Sequence, residues 1–187
     1  MVFELLNIND FSQKDFDFCL SLMENGRKEY INSLKHQKGK ALSVAAEWLT
    51  KKTAAKLLKK PIEEIIILRD EKGKPFIENN LLFFSISHSG DYAAVIFDSQ
   101  PIGLDIEVLR QIDVRLKKRI CTDSDLLFLK DGKSAEEENL RLLKIWTAKE
   151  GYFKKTGSGI TDFKSISYKD LNCTHSFEKS LIITVVK

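Results

Sequence analysis

Two helical stretches, each followed by short β-rich runs, constrain this chain more than any other feature. From Asp10 to Lys59 apolar residues recur at helical spacing. "DFSQKDFDFCLSLMENG" starts with acids and stops at Asn25-Gly26, and "ALSVAAEWLTKK" sets Leu42, Ala45, Ala46 and Leu49 on one face. Pro61 ends that period. "EIIILRD", "LLFFSIS", "YAAVIFD" and "PIGLDIEV" follow as short β-rich runs, separated by "EKGKP", "HSGD" and "SQP". After Arg110 helical patterns return in "DVRLKKRI", in "TDSDLLFLKDG" with its Thr/Asp start and Gly stop, and from about Ser134 to Lys155; the β-rich "SLIITVVK" closes the chain. Helices, strands, helices, strands predict an α+β protein, with room for two similar halves joined near Pro101. No low-complexity linker interrupts the chain, so two halves are expected to pack rather than swing freely.

At 187 residues and 43% apolar content the chain is long enough to bury one large core or two smaller ones. Its 30 basic and 27 acidic residues leave a formal charge of +3. The lysines and arginines cluster in "KKTAAKLLKK" and "RLKKR", but the balance predicts no obligate nucleic-acid partner. Cys19, Cys121 and Cys173 are odd in number and form no C-x-x-C pair. That argues for a reducing compartment, the cytoplasm, without structural disulfides or a cysteine zinc site. "MVFELLNIND" lacks a basic n-region and long apolar core, and no apolar run nears the ~20 residues of a membrane helix. Neither secretion nor membrane spanning is expected.

Three stretches carry residues suited to chemistry. In "PIGLDIEV" strand alternation puts Asp105 and Glu107 on one face and Leu104, Ile106 and Val108 on the other. Such acids are either the solvated face of an edge strand or a held pair. Gly103 permits close backbone approach, the apolar face fixes the register, and held carboxylates repel unless a hard cation such as Mg²⁺ lies between them. In "IWTAKEGYFKKTGSGI" Trp146, Glu150 and Lys154 recur one turn apart. They read as a surface Glu-Lys pair or, with Trp146 turned inward, as a third carboxylate or general base beside a phosphate-binding lysine. In "GKPFIENNLLFFSISHSGDY" Pro75 restricts Lys74, and His88 stands between Ser87 and Ser89 where the strand runs out into Gly90. His88 is either a surface histidine or part of a donor cluster for phosphate oxygens. No G-x-x-x-x-G-K-[ST] or G-x-G-x-x-G motif is present, so a nucleotide would not be held by a P-loop or a Rossmann turn.

Together "GKP", "FSISHSG", "PIGLDIE" and "WTAKEGYFKKTGSGI" resemble, in order and spacing, the motifs of the 4′-phosphopantetheinyl transferases of the surfactin-synthetase-activating (Sfp) type. The resemblance spans about Gly73 to Ile160. It implies a pseudo-dimer of two similar α+β halves, residues 1–100 and 101–187, with the site in the cleft between them. It further implies a Mg²⁺-dependent transfer of phosphopantetheine from coenzyme A to a serine of an apo acyl or peptidyl carrier protein, releasing adenosine 3′,5′-bisphosphate. Carried over by residue, Asp105, Glu107 and Glu150 bind Mg²⁺, Glu150 deprotonates the serine or serves only as ligand, and Lys154 holds a phosphate. Lys74, Ser87 and His88 contact coenzyme A. Basic residues of the N-terminal third take its 3′-phosphate, from among Arg27, Lys28, Lys35, Lys38 and Lys40, with Arg27 and Lys40 the two expected to bind coenzyme A. A monomer with one site is implied.

Three features depart from the pattern or from the site. Lys149 precedes Glu150 but points about 100° around the helix, a secondary position. Gly151 stands where a serine or alanine is usual, and its cost of about 1 kcal/mol in helix propensity predicts a local irregularity. The C-terminus looks short against the longer members of the family, a departure that bears on carrier recognition; the basic residues Arg115, Lys117, Lys118 and Arg119 are the candidate dock. Two other functions fit part of the pattern: a Mg²⁺-dependent nuclease using D-x-E and a lysine, and a non-catalytic coenzyme A or carrier-binding module.

Overall fold

Pro61 and the turn clusters after it divide helices from strands as the sequence predicts. The computed structural model describes residues 1–78, 82–159 and 162–187. Leu81, at the start of the expected strand "LLFFSIS", and Ile160, at the end of "TGSGI", lie outside the described residues. The chain forms two compact units, Met1–Ser99 and Gln100–Lys187, each mixing helix and sheet.

In the first unit strands β1 (Val2–Asn7), β4 (Phe83–Ser89) and β5 (Tyr92–Asp98) form an antiparallel sheet in the order β1-β5-β4. A two-stranded ribbon joins β2 (Ile67–Arg69) to β3 (Pro75–Ile77). Helices α1 (Gln13–Ser21) and α2 (Asn25–Ser33) pack on the 22-residue α3 (Gln37–Leu58), which lies along the sheet. Leu49, Ala54, Ile67, Phe84, Val95 and Phe97 form the core between α3 and the sheet. Cys19, Met23, Ile31 and Val44 form a second core among the helices.

Two local expectations are corrected here. No strand is predicted before Asp10, yet β1 pairs with β5 from Val2↔Phe97 to Asn7↔Tyr92. All six β1 residues are half-buried, so no alternation marks it, and its partner lies some ninety positions along the chain. Asn25-Gly26 does not stop a helix. The first helix ends at Ser21, and Glu24, extended at φ −60° and ψ 148°, starts α2 at Asn25.

The second unit repeats the plan. β6 (Gly103–Val108), β7 (Cys173–Glu178) and β8 (Leu181–Val186) form an antiparallel sheet in the order β6-β8-β7. The 22-residue α6 (Ala135–Thr156) lies on β6 and β8, with α4 (Arg115–Ile120) and α5 (Asp123–Lys130) beside it. Thr122 and Asp125 form the capping box of α5, and Ser134 caps α6, whose C-terminal turn ends at left-handed Gly157, φ 65°. Strand β7 is missed by hydrophobic pattern because "CTHSFE" is mostly polar and exposed. Two halves of one plan make this an α+β protein of pseudo-dimeric type. Among the described residues, no helix is long and apolar enough to cross a membrane.

Candidate functional site

In β6 the alternation places Asp105 beside Thr184 and Glu107 beside Ile182 of β8, on the face that α6 covers. Helix and strand meet at two glycines. A Cβ at Gly103 would lie 1.9 Å from the carbonyl oxygen of Gly151, and a Cβ at Gly151 would lie 2.8 Å from Val186 Cγ2. Only glycine lets the two backbones approach this closely. Helix α6 is continuous through Gly151, so the expected irregularity is absent. The residue's role is close approach.

That contact brings the acids together. Asp105 is buried, and Lys154 Nζ donates to its Oδ1 at 2.6 Å. Glu107 accepts from Arg110 Nη2 at 2.7 Å and Nε at 3.1 Å. Glu150, one turn before Lys154, has its carboxyl pushed up to about 7, first by burial and then by the negative charge of Asp105. Glu107 adds to the rise and Lys154 opposes it. The three carboxylates therefore share one field. Among the described residues no group of three His, Cys, Asp or Glu side chains forms a metal-holding cluster. The donor chemistry, three carboxylates of which Asp105 and Glu107 both raise Glu150, fits a hard cation. In the arrangement present, Lys154 and Arg110 supply the compensating charge.

The walls around α6 hold its orientation. Trp146 stacks on Phe163 with ring centroids 5.2 Å apart, half-buried as expected. Thr147 Oγ1 and Thr184 Oγ1 are 2.6 Å apart, and Thr184 is in turn 2.8 Å from His175 Nδ1. Burial pushes His175 down to about 4, so the ring is neutral at ordinary pH. Lys149 is fully buried, and its ammonium donates to Asp125 Oδ2 at 2.6 Å, Ile120 O at 2.7 Å and Phe163 O at 2.9 Å. It is an internal tie between α6, α4, α5 and the turn at Phe163, a role its position beside Glu150 does not announce.

In the first unit the predicted donors divide between two faces. Strand β4 includes His88, so Ser87 stands on one face of the strand and His88 on the other, with Ser89 again on the Ser87 face. Ser87 is buried on one face, whereas His88 shares the α3 face with Ile86. Lys74 follows the Gly73 turn, where Asp70 Oδ1 accepts from Lys72 N and Lys74 N, and burial holds its amine below the ordinary lysine value.

His88 lines a pocket of about 190 Å³ together with Arg27, Tyr30, Glu47, Arg69 and Pro75. Of the five basic candidates in the N-terminal third, Arg27 alone lines it. Lys28 donates to Ser21 O at 3.1 Å and Lys38 pairs with Asp91 at 2.6 Å; Lys40 sits half-exposed in the first turn of α3. Two residues the sequence does not single out stand beside Arg27. The buried Glu47 Oε2 accepts from Arg27 Nε at 2.8 Å and from Arg69 Nη2 at 3.1 Å. These partners come from α2, α3 and β2, and neither hydrophobic period nor motif links them.

On the second unit a groove of about 540 Å³ is lined by Val114, Arg115, Lys117, Lys118, Leu126 and Lys164 among others, so the basic segment at α4 borders an apolar floor. Arg115 is paired with Asp113 and Lys117 with Glu138.

Comparison with known proteins gives these arrangements a lineage. Residues 10–100 match the family described as 4′-phosphopantetheinyl transferase, N-terminal, and residues 101–185 match the 4′-phosphopantetheinyl transferase superfamily. Among similar proteins, 4′-phosphopantetheinyl transferase gsp of Aneurinibacillus migulanus is 26% identical over 81% of this chain. The psf-1 transferase of Bacillus pumilus is 33% identical over 54% of this chain, and Sfp of Bacillus subtilis strain 168 is 28% identical over 80%. The chain spans 63%, 43% and 67% of the lengths of these three relatives, respectively. The two matches follow each other along nearly the whole chain, and the chain belongs to the 4′-phosphopantetheinyl transferase superfamily, in its Sfp-type branch.

Proposed function

We propose that this chain transfers the 4′-phosphopantetheine moiety of coenzyme A to a serine of an apo acyl or peptidyl carrier protein. Adenosine 3′,5′-bisphosphate is released in a magnesium-dependent reaction. Similarity to the 4′-phosphopantetheinyl transferases gsp and Sfp supports the class of reaction. The observation that carries it is Glu150, whose carboxyl is pushed up to about 7 beside Asp105 and one turn from Lys154. A base that titrates near the operating pH combines an available charged form with useful proton affinity.

In the proposed step the serine Oγ bonds to the β-phosphorus, and the bond from that phosphorus to the bridging oxygen breaks. The bridging oxygen leaves with the nucleotide, and the serine proton passes to a Glu150 carboxylate oxygen. Lys154 exchanges Asp105 for a phosphate oxygen and holds it in line. Asp105, Glu107 and Glu150 would hold Mg²⁺, which when bound offsets the charge of the pyrophosphate oxygens. Arg27, Lys74 and His88 of the first unit hold coenzyme A, and the enzyme acts as a monomer.

The test is to incubate the protein with an apo carrier protein, coenzyme A and Mg²⁺ and to weigh the carrier by mass spectrometry. A mass gain of one phosphopantetheine, absent without Mg²⁺ and absent with Glu150→Gln, is expected. An unmodified carrier that still binds the protein would leave a binding module instead.

A further inference from the structure

Strand β8 is aliphatic except for Thr184, and α6 meets that residue with a second hydroxyl. Thr184 and Thr147 are both fully buried, and their Oγ1 atoms are 2.6 Å apart. Thr184 has Asp105 opposite it on β6 and His175 opposite it on β7, so the three side chains form one row on the face that α6 covers. One turn further along the helix Gly151 backs onto Val186, two residues further along the strand. About 6 Å of helix rise thus matches about 7 Å of strand, and the two contacts together set where α6 stops on β8. The hydroxyl pair is the directional one. Moved onto a neighbouring valine or isoleucine, a buried hydroxyl loses its bond without regaining water.

The pair belongs to a longer chain of hydrogen bonds whose direction is set at its ends. Thr147 Oγ1 lies 3.0 Å from Leu143 O and 3.3 Å from Lys144 O, and a carbonyl only accepts, so the single Thr147 proton goes there. Thr184 then donates to Thr147. With its own proton spent, Thr184 accepts from His175 Nδ1 at 2.8 Å, and the bare Nε2 of the neutral ring accepts from the Tyr168 hydroxyl at 2.9 Å. Burial supports this assignment: it holds the imidazole neutral and pushes the Tyr168 phenol up to about 12, so the phenol keeps its proton. The reverse direction would draw the Thr147 proton away from two carbonyls and make Tyr168 an acceptor from Nε2–H. Free neutral histidine prefers that Nε2–H form, so the chain selects against the preference of the ring itself.

We propose that His175, as its Nδ1–H tautomer, is a positioning residue of the transfer site: through Thr184 and Thr147 it fixes the register of α6 on the sheet and so places Glu150 against Asp105. Thr147 lies one turn before Glu150 on α6, and Thr184 stands beside Asp105 in the β6-β8 ladder, so the chain links the helix of one acid to the strand paired with the other. This inference rests on the function proposed above, in which Glu150 takes the serine proton. His175 acts only through the two threonines.

The test has two arms. In protein labelled with ¹⁵N-histidine, NMR at neutral pH reads the ring nitrogens of the three histidines, and His36→Gln and His88→Gln, by removing the other two signals, identify His175. A proton on Nδ1 and a bare Nε2 are expected; a proton on Nε2 would overturn the proposal. In the second arm, transfer to an apo carrier protein is measured for variants of Thr184. Thr184→Val keeps the shape and removes the hydroxyl, and it is expected to lower kcat by about ten- to a hundredfold, the cost of groups misplaced by about 1 Å, while the KM for coenzyme A holds. Thr184→Ser keeps the hydroxyl and is expected to retain most of kcat. A merely structural tie would lower the melting temperature of Thr184→Val and leave the kcat of the folded protein unchanged, and that result would end the positioning role while the proposed function stands. If the wild-type protein transfers nothing, the proposed function fails and the positioning role falls with it, whereas the tautomer still decides the direction of the chain.

Discussion

Glu150 is a carboxyl whose charged form folding disfavours. Its value rises from 4.5 to about 7 because burial and Asp105 both penalise the anion. Between those values the folded chain binds more protons than the unfolded chain, so stability falls as pH rises through that window. The contribution is fully present below 4.5 and is lost by about 7. Glu150→Gln removes the penalty. Without metal, the variant is expected to melt above wild type at about pH 8 and to match it at about pH 4, while transfer activity is lost. Equal melting temperatures at both pH values would show that Glu150 ionises as an ordinary surface acid. The residues of this neighbourhood differ in how readable they are. Asp105 and Glu107 are legible because a strand has period two, and Glu150 and Lys154 because a helix returns after four residues. Lys149 is not, since its acceptors lie 14 to 29 residues away, in segments whose approach no local period encodes. Glu47 and Arg69 are hidden for the same reason, 22 residues apart and on different elements.

A helix laid directly on a strand needs bare backbone at the crossing, and here Gly103 of β6 meets Gly151 of α6. Helix propensity alone would favour Ala over Gly at position 151 by about 1 kcal/mol. The structure reverses that expectation, because the added methyl would meet Val186 at 2.8 Å. Position 103 is stricter still: the atom it would strike, at 1.9 Å, is backbone, which no side-chain rotation can move aside. Gly103→Ala is expected to destabilise the protein by about 2 kcal/mol or more, in the range of core overpacking. It should also lift α6 from β6 and bring the Glu150 carboxyl down toward its ordinary range. Urea denaturation gives the first quantity and a pH titration of Glu150 the second; an unchanged Glu150 in a destabilised variant would mean that the crossing does not set the site. Both long helices are legible from their apolar period. The crossing is legible only as a glycine that costs propensity, and its benefit appears once the partner strand is known.

A formal charge of +3 says little about partners, yet its distribution does. In the second unit, cations and apolar side chains share a groove of about 540 Å³, where Val114 is 68% exposed and Leu126 38%. A partner matching both features would offer acidic residues around an apolar ridge, and on the proposed function that partner is the carrier protein. Arg115 and Lys117 are weak probes, because each is already paired with an acid. Lys118 and Lys164 are exposed and line the same groove. Charged groups at such a rim act mainly on association, and salt shortens their reach to about 8 Å at physiological ionic strength. Lys118→Glu combined with Lys164→Glu is therefore expected to raise the carrier KM by about tenfold at low salt, with the gap closing as salt increases. The KM for coenzyme A should stay unchanged. Leu126→Ser should also raise the carrier KM, but equally at all salt concentrations, since it removes apolar contact rather than charge. A carrier KM indifferent to the double charge reversal at low salt would place the dock outside this groove.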